Sequence, residues 1–85
     1  MTDDIAKIAK GLSEAQRRAL LGIPVKRDFK PETTGFQWST LAILKSRRLI
    51  NGLADGFGGM GKSALHRITS LGLSVRQYLM ENHDE

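Results

Sequence analysis

The chain has 85 residues, no cysteine and a formal net charge of +4 at neutral pH. A chain of this length forms one domain with a modest core, because it buries only about 60–65% of the surface that it exposes when unfolded. The lack of cysteine excludes disulfides and thiolate metal sites. No apolar run approaches the roughly 18 residues of a membrane span and no signal peptide is recognisable, so we expect a cytoplasmic protein.

The basic residues occupy the body of the chain, whereas acidic residues cluster at its two ends. Between Ile5 and Met80 there are 13 Lys and Arg but only four Asp and Glu, which gives this part a net charge near +9. Such an excess favours a polyanionic partner and accelerates the encounter with it. The alternative is that the charge only keeps a small domain in solution.

Two helices are predicted for the N-terminal part. From Asp3 to Leu12, apolar residues recur with the i, i+3, i+4, i+7 spacing of an amphipathic helix. The segment SEAQ at 13–16 has the spacing of a capping box, in which a hydroxyl and an amide side chain satisfy backbone amides at a helix start. This predicts a second helix from Glu14 to about Leu21, which Gly22 and Pro24 end.

A third helix is predicted in the middle of the chain. Val25–Phe29 is predicted to be a short strand, and 30–35, which contains proline and glycine, a loop. Ser39–Arg48 is predicted to be helical, with Leu41, Leu44 and the stem of Arg48 on one face. The other face is small, polar and basic, and consists of Ser39, Ala42, Ile43, Ser46 and Arg47.

A β-hairpin followed by a fourth helix is predicted for the C-terminal part. Residues alternate from Ser63 to Ile68, which predicts a strand, and Leu49–Leu53 is its expected partner across a glycine-rich tip. Thr69 or Ser70 is expected to cap the final helix. The apolar face of that helix consists of Leu71, Val75, Tyr78 and Leu79.

The hairpin tip contains the sequence GFGGMGKS at 56–63, which fits the phosphate-binding consensus G-x-x-x-x-G-K-[ST]. A working loop of this class follows a buried strand, opens a helix at its lysine and needs a distant acidic residue for Mg²⁺. Here a poor strand precedes the loop and an alternating segment follows it. We therefore interpret the glycines as a flexible tip that tolerates positive φ angles, with Lys62 available to a nucleic-acid phosphate. Nucleotide binding through 56–63 remains a third hypothesis.

The order of these elements resembles that of winged helix-turn-helix proteins. LxxLxxxxLI at 41–50 looks like a recognition helix and its exit strand, and LSEAQ at 12–16 resembles the first core helix. RITSLG at 67–72 resembles the motif that ends the wing in MarR-like regulators. The resemblance covers residues 12–80 and is closest to small stand-alone winged helices of phage and prophage genomes. It departs from the pattern in lacking a clear second helix and in having Arg48 where a glycine is usual.

This resemblance implies one mainly helical α+β domain over 1–85, with its core at about 5–80, that acts as a small DNA-binding transcription regulator. The helix at 39–48 would face the major groove, and a homodimer would bind two half-sites. The implied contacts to bases or phosphates are Ser39, Thr40, Ile43, Ser46 and Arg47 from the helix and Lys62 and Arg67 from the wing.

Alternative interpretations apply to each of these residues. Ile43 is placed either against a thymine methyl or under the rings of Phe36 and Trp38, and each basic side chain is either a phosphate contact or a solvated charge. We expect both aromatic residues to belong to the core rather than to a stacking platform.

A second hypothesis is a protein-interaction module that binds a host protein with an acidic surface. No enzyme site or cofactor is predicted, since the sequence suggests no Ser-His-Asp arrangement. His66 and His83 are the only histidines and have no cysteine beside them, so no zinc site is predicted.

Overall fold

The fold is mainly helical with one small antiparallel sheet, as a computed structural model describes it for residues 2–53 and 64–82. Within these ranges, two strands pair with Ile50 opposite Ile68 and Gly52 opposite His66. The predicted α+β class is therefore confirmed. The elements in chain order are α1 (Thr2–Lys10), α2 (Glu14–Gly22), a 3-10 turn (Pro31–Thr33), α3 (Trp38–Ser46), β1 (Ile50–Gly52), β2 (His66–Ile68) and α4 (Ser70–Glu81).

Side-chain caps fix where α2 and α4 begin. The Ser13 hydroxyl accepts a hydrogen bond from the Gln16 amide at 3.2 Å, and the Gln16 side chain accepts one from the Ser13 amide at 3.0 Å. The predicted capping box is thus confirmed. At α4, the Thr69 hydroxyl accepts from the Gly72 amide at 2.9 Å, so Thr69 is the cap. Each cap satisfies backbone amides that have no partner inside the helix.

The chain between α2 and α3 contains less regular structure than predicted. The predicted strand at Val25–Phe29 is wrong except at its last residue, where Phe29 and His66 exchange two backbone hydrogen bonds of 2.9 and 2.7 Å. Pro31 then starts a 3-10 turn, and the hydroxyls of Thr33 and Thr34 donate to carbonyls three residues back. Such side-chain bonds compete with helix propagation, so the segment stops after a single turn.

The end of α3 differs from the prediction. The Leu49 amide donates to the Leu44 carbonyl at 2.9 Å and the Arg48 amide to the Lys45 carbonyl at 3.0 Å, which together form a Schellman motif. Arg48 adopts a φ of 63° and its side chain is exposed, so it does not extend the face of Leu41 and Leu44. This left-handed conformation costs a non-glycine residue about 1–2 kcal/mol.

The core lies where α1, α2, α3 and α4 meet the inner face of the sheet. Phe36 and Trp38 are partly buried and pack against it, which confirms that they belong to the core. Among the described residues, the buried hydrophobic side chains of the core are Ala9, Leu12, Ala19, Leu20, Ile23, Phe29, Leu41, Leu44, Leu49, Ile50, Ile68, Val75 and Leu79.

The first turn of α4 lies directly against the backbone of Leu49, and this contact requires a glycine. A Cβ at Gly72 would overlap the Leu49 carbonyl oxygen and lie 2.7 Å from Cγ1 of Ile68. Glycine weakens a helix by about 1 kcal/mol relative to alanine, so the close approach explains its presence.

We expect Gly72→Ala to destabilise the protein by about 2 kcal/mol, because the methyl group forces the α4 backbone away from Leu49. Chemical denaturation followed by far-UV circular dichroism measures the change. Gly11→Ala is the control, since its Cβ would meet its nearest neighbour at 3.4 Å, and we expect a change within about 0.5 kcal/mol. A Gly72→Ala variant as stable as wild type would contradict this packing.

Candidate nucleic-acid interface

One face of α3 is exposed along its whole length. Ser39, Ile43 and Ser46 follow the i, i+4, i+7 spacing and all three side chains are exposed, Ile43 to 39%. Leu41 and Leu44 are fully buried on the opposite side. The structure therefore brings three of the predicted site residues together on one surface. Ile43 is not among the buried residues of the core.

The chemistry of this face is small and polar with one apolar group at its centre. The Ser46 hydroxyl donates to the Ile43 carbonyl at 2.8 Å, so its oxygen remains able to accept. Ser39 is exposed at the first turn, while Thr40 is half-buried beside a depression that Arg18 of α2 also lines. Short side chains of this kind allow a helix backbone to approach a flat partner closely.

Arg47 follows Ile43 by four residues, but its side chain extends towards the end of α1. It is the C-cap residue of α3, and its guanidinium nitrogen Nη1 lies 3.7 Å from the position that a Cβ on Gly11 would occupy. Gly11 follows the last turn of α1, where the partial negative charge of helix carbonyls favours a cation. The structure thus places Arg47 between the two elements, exposed to solvent but close to the end of α1.

Arg67 is held by an acidic residue that the sequence did not reveal as its partner. Its Nε donates to Oδ1 of Asp28 at 2.8 Å and its Nη2 to Oδ2 at 3.3 Å, which is a bidentate ion pair. The hydrogen bond and the charge of Asp28 raise the pKa of Arg67. Because His66 and Ile68 point into the core, Arg67 between them points away from it. The structure therefore does not bring Arg67 onto the α3 face.

His66 is a buried histidine that connects three parts of the fold. The residue has 0% exposure, and the centroid of its ring lies 5.7 Å from that of Trp38 on α3 and 6.2 Å from that of Phe29. Nδ1 lies 2.8 Å from the Ala64 carbonyl, which can only accept, so Nδ1 carries the proton. Nε2 is buried and has no hydrogen-bond partner among the described residues. The alternation of Ala64, His66 and Ile68 was the sequence signal for this inward position.

Burial lowers the pKa of His66, and the positive charge of Lys45 lowers it further, while the hydrogen bond to Ala64 acts in the opposite direction. The ring is therefore neutral in the folded protein at neutral pH. Its role in the described structure is to pack the hairpin against α3 and Phe29. Nothing in this position allows it to contact a partner directly.

Lys62 and the phosphate-loop-like segment 56–63 lie outside the described residues. Within 2–53 and 64–82, no cluster of three His, Cys, Asp or Glu side chains is arranged to hold a metal ion. In the same ranges, no helix has the length and apolar character needed to cross a membrane.

Comparisons with protein-family models, with curated proteins and with solved structures give no significant match to this chain. The observed order of elements is consistent with a winged helix, with a 3-10 turn where the second helix would stand.

We expect the stability of the protein to fall as pH decreases below about 6.5, the ordinary pKa of histidine. The unfolded chain then binds a proton at position 66 that the folded protein, with its lowered pKa, does not accept. Stability is fully present above this pH and declines as pH falls towards the folded pKa. Urea unfolding between about pH 7.5 and 5.5 measures the decline, above the range where carboxylates titrate.

The control for this measurement removes the buried ring. His66→Phe should flatten the pH dependence in that window, because the group that titrates differently in the folded and unfolded chain is then absent. A wild-type stability that stays constant over the window would contradict the assignment of a neutral, buried ring.

Proposed function

We propose that the protein binds double-stranded DNA as a small transcription regulator of the winged-helix type, with α3 in the major groove. The observation that supports this most is the exposed face of Ser39, Ile43 and Ser46. An α-helix with its side chains is about 10–12 Å in diameter, which fits a major groove about 12 Å wide. Hydroxyls can bond to base edges or phosphates, and Ile43 suits a thymine methyl.

The charge of the molecule supports a polyanionic partner. The chain carries 13 basic against nine acidic residues, and exposed cations lie in the loop on both sides of Phe29 as well as at the end of α3. Lysine and arginine at phosphates release counterions, so such binding weakens as salt rises. The exposed cations of the loop and of the α3 end are Lys26, Arg27, Lys30, Arg47 and Arg48.

The proposal includes a homodimer, of the kind that would suit a stand-alone regulator of phage type. One module with a single short helix makes few base contacts, and two copies on adjacent half-sites would add their binding energies. The wing would contribute Lys62 and Arg67 as phosphate contacts.

We expect the protein to bind mixed-sequence duplex DNA with a Kd below about 10 µM at about 50 mM salt and more weakly at about 200 mM. Ile43→Glu places a carboxylate at the centre of the α3 face and should weaken binding about tenfold or more. Fluorescence anisotropy measures both effects. Leu73→Glu is the matched control, because Leu73 on α4 is also exposed, to 44%, and the change in net charge is identical.

The control variant should bind within about threefold of wild type, since its carboxylate lies on α4 rather than on α3. Equal weakening by the two variants would show that only net charge matters and would remove α3 from the interface. An absence of binding by wild type at about 50 mM salt would overturn the proposed function itself.

The role of Arg67 has a separate test, because Asp28 competes with phosphate for its guanidinium. We expect Asp28→Asn to strengthen DNA binding several-fold. The slope of log K against log salt should become steeper by about 0.9, which corresponds to one additional phosphate contact. Arg67→Gln should act in the opposite direction. The melting temperature of Asp28→Asn serves as the check on folding and should change little, since exposed ion pairs contribute little stability. Weaker binding by Asp28→Asn would contradict this competition.

A second candidate function is binding of a protein with an acidic surface. The groove between α1, α2 and α4 has a volume of about 410 Å³, an apolar floor that includes Ala9, Leu21 and Leu79, and Lys10 and Arg17 at its rim. No acidic residue is among those that line it in the described part of the chain. An absence of DNA binding by the wild-type protein at every salt concentration would favour protein binding over DNA binding.

Nucleotide binding through 56–63 is tested by competition in the same assay. Under the main proposal, ATP with Mg²⁺ does not displace DNA beyond the effect of its ionic strength. Direct binding of ATP that Lys62→Ala abolishes would favour the nucleotide hypothesis instead.

A further inference from the structure

Arg48 occupies a backbone conformation that suits glycine far better than arginine. Its φ of 63° is the only positive value at a non-glycine residue in the described part of the chain. The left-handed region is strained for residues with a Cβ, and among these asparagine and aspartate tolerate it best. An arginine there is therefore a feature to be explained.

The surrounding hydrogen bonds do not let the backbone of Arg48 relax. Its amide donates to the Lys45 carbonyl at 3.0 Å, and its carbonyl accepts from the Thr69 hydroxyl at 2.6 Å. Leu49 is buried directly after it, with its amide bonded to Leu44. A glycine at 48 would satisfy the same bonds without strain, so the turn by itself does not explain the arginine.

The side chain of Arg48 forms no hydrogen bond or ion pair with another described residue. It is exposed, and it takes part in neither ion pair of the described residues, which join Arg18 to Glu14 and Arg67 to Asp28. It lies beside a surface depression of about 450 Å³ that Lys45 and Asn51 also line, and no acidic residue is among the described residues that line it. The turn therefore fixes the backbone of a residue whose exposed guanidinium has no ion-pair partner among the described residues.

We infer that Arg48 is a phosphate-binding residue, which contacts the DNA backbone where α3 ends and β1 begins. This inference rests on the proposed function and adds a contact beyond the α3 face itself. Strained residues that the surrounding structure holds in place are concentrated at binding sites, where the side chain gives a benefit that the backbone does not. The rigid turn holds the backbone that carries the guanidinium, which lowers the entropy cost of phosphate binding.

Three substitutions separate the charge from the strain. Arg48→Gly removes both, and we expect Tm to rise by about 3–5 °C while DNA affinity falls about fivefold at about 50 mM salt. Arg48→Gln removes only the charge, so affinity should fall equally with Tm unchanged. Arg48→Lys keeps the charge and the strain and should retain most of the affinity. The slope of log K against log salt should decrease by about 0.9 in the first two variants.

The control for a general loss of charge is Lys7→Gln, which removes one exposed cation from α1. Its effect on affinity should be smaller than that of Arg48→Gln. Suppose that the wild-type protein binds DNA and that Ile43→Glu weakens this binding. If Arg48→Gln and Arg48→Gly then keep the wild-type affinity and salt slope, this inference alone is overturned. No binding by wild type would overturn the proposed function together with it.

Discussion

The carbonyl group of Leu49 is the point on which the rest of the structure depends. It accepts a hydrogen bond from the Thr69 amide at 3.0 Å, the Thr69 hydroxyl oxygen lies 3.1 Å from it, and Gly72 lies against it. This single peptide unit therefore joins the end of α3, the start of β1 and the first turn of α4. A side chain at 72 would separate these elements, which is why a residue with poor helix propensity stands inside α4.

The exposed face of α3 is well defined because of this arrangement. The Schellman turn brings Leu49 back onto Leu44, and both are fully buried, so α3 cannot rotate without exposing a leucine. At its other end Trp38 packs edge-on against the buried ring of His66. Anchors at both ends fix which side chains point outward, and a fixed helix face is a requirement for recognition of a rigid partner such as DNA.

Local signals in the sequence predicted the helices, and pairings between distant residues account for the errors. The capping box at 13–16 and the helical spacing of apolar residues in α3 depend on residues within one or two turns. Most of α2 and α3 therefore follows from the sequence. Arg48 was placed in the helix because the glycine that usually marks such a left-handed turn is absent, and the Thr69 hydroxyl that bonds to its carbonyl is 21 residues away. The partner of Arg67 is likewise 39 residues distant. Pairings of this kind depend on the assembled fold and not on the local pattern.

His66 and Arg48 both reduce the stability of the fold, but they do so in different places. His66 is buried between Phe29 and Trp38, and its Nε2 has no hydrogen-bond partner among the described residues. The packing of its ring against these two side chains compensates for that cost inside the fold. Arg48 has an exposed side chain with no ion pair among the described residues, so its strain has no compensation among them. Packing explains the buried histidine, and the phosphate contact that we propose for Arg48 would explain the exposed arginine.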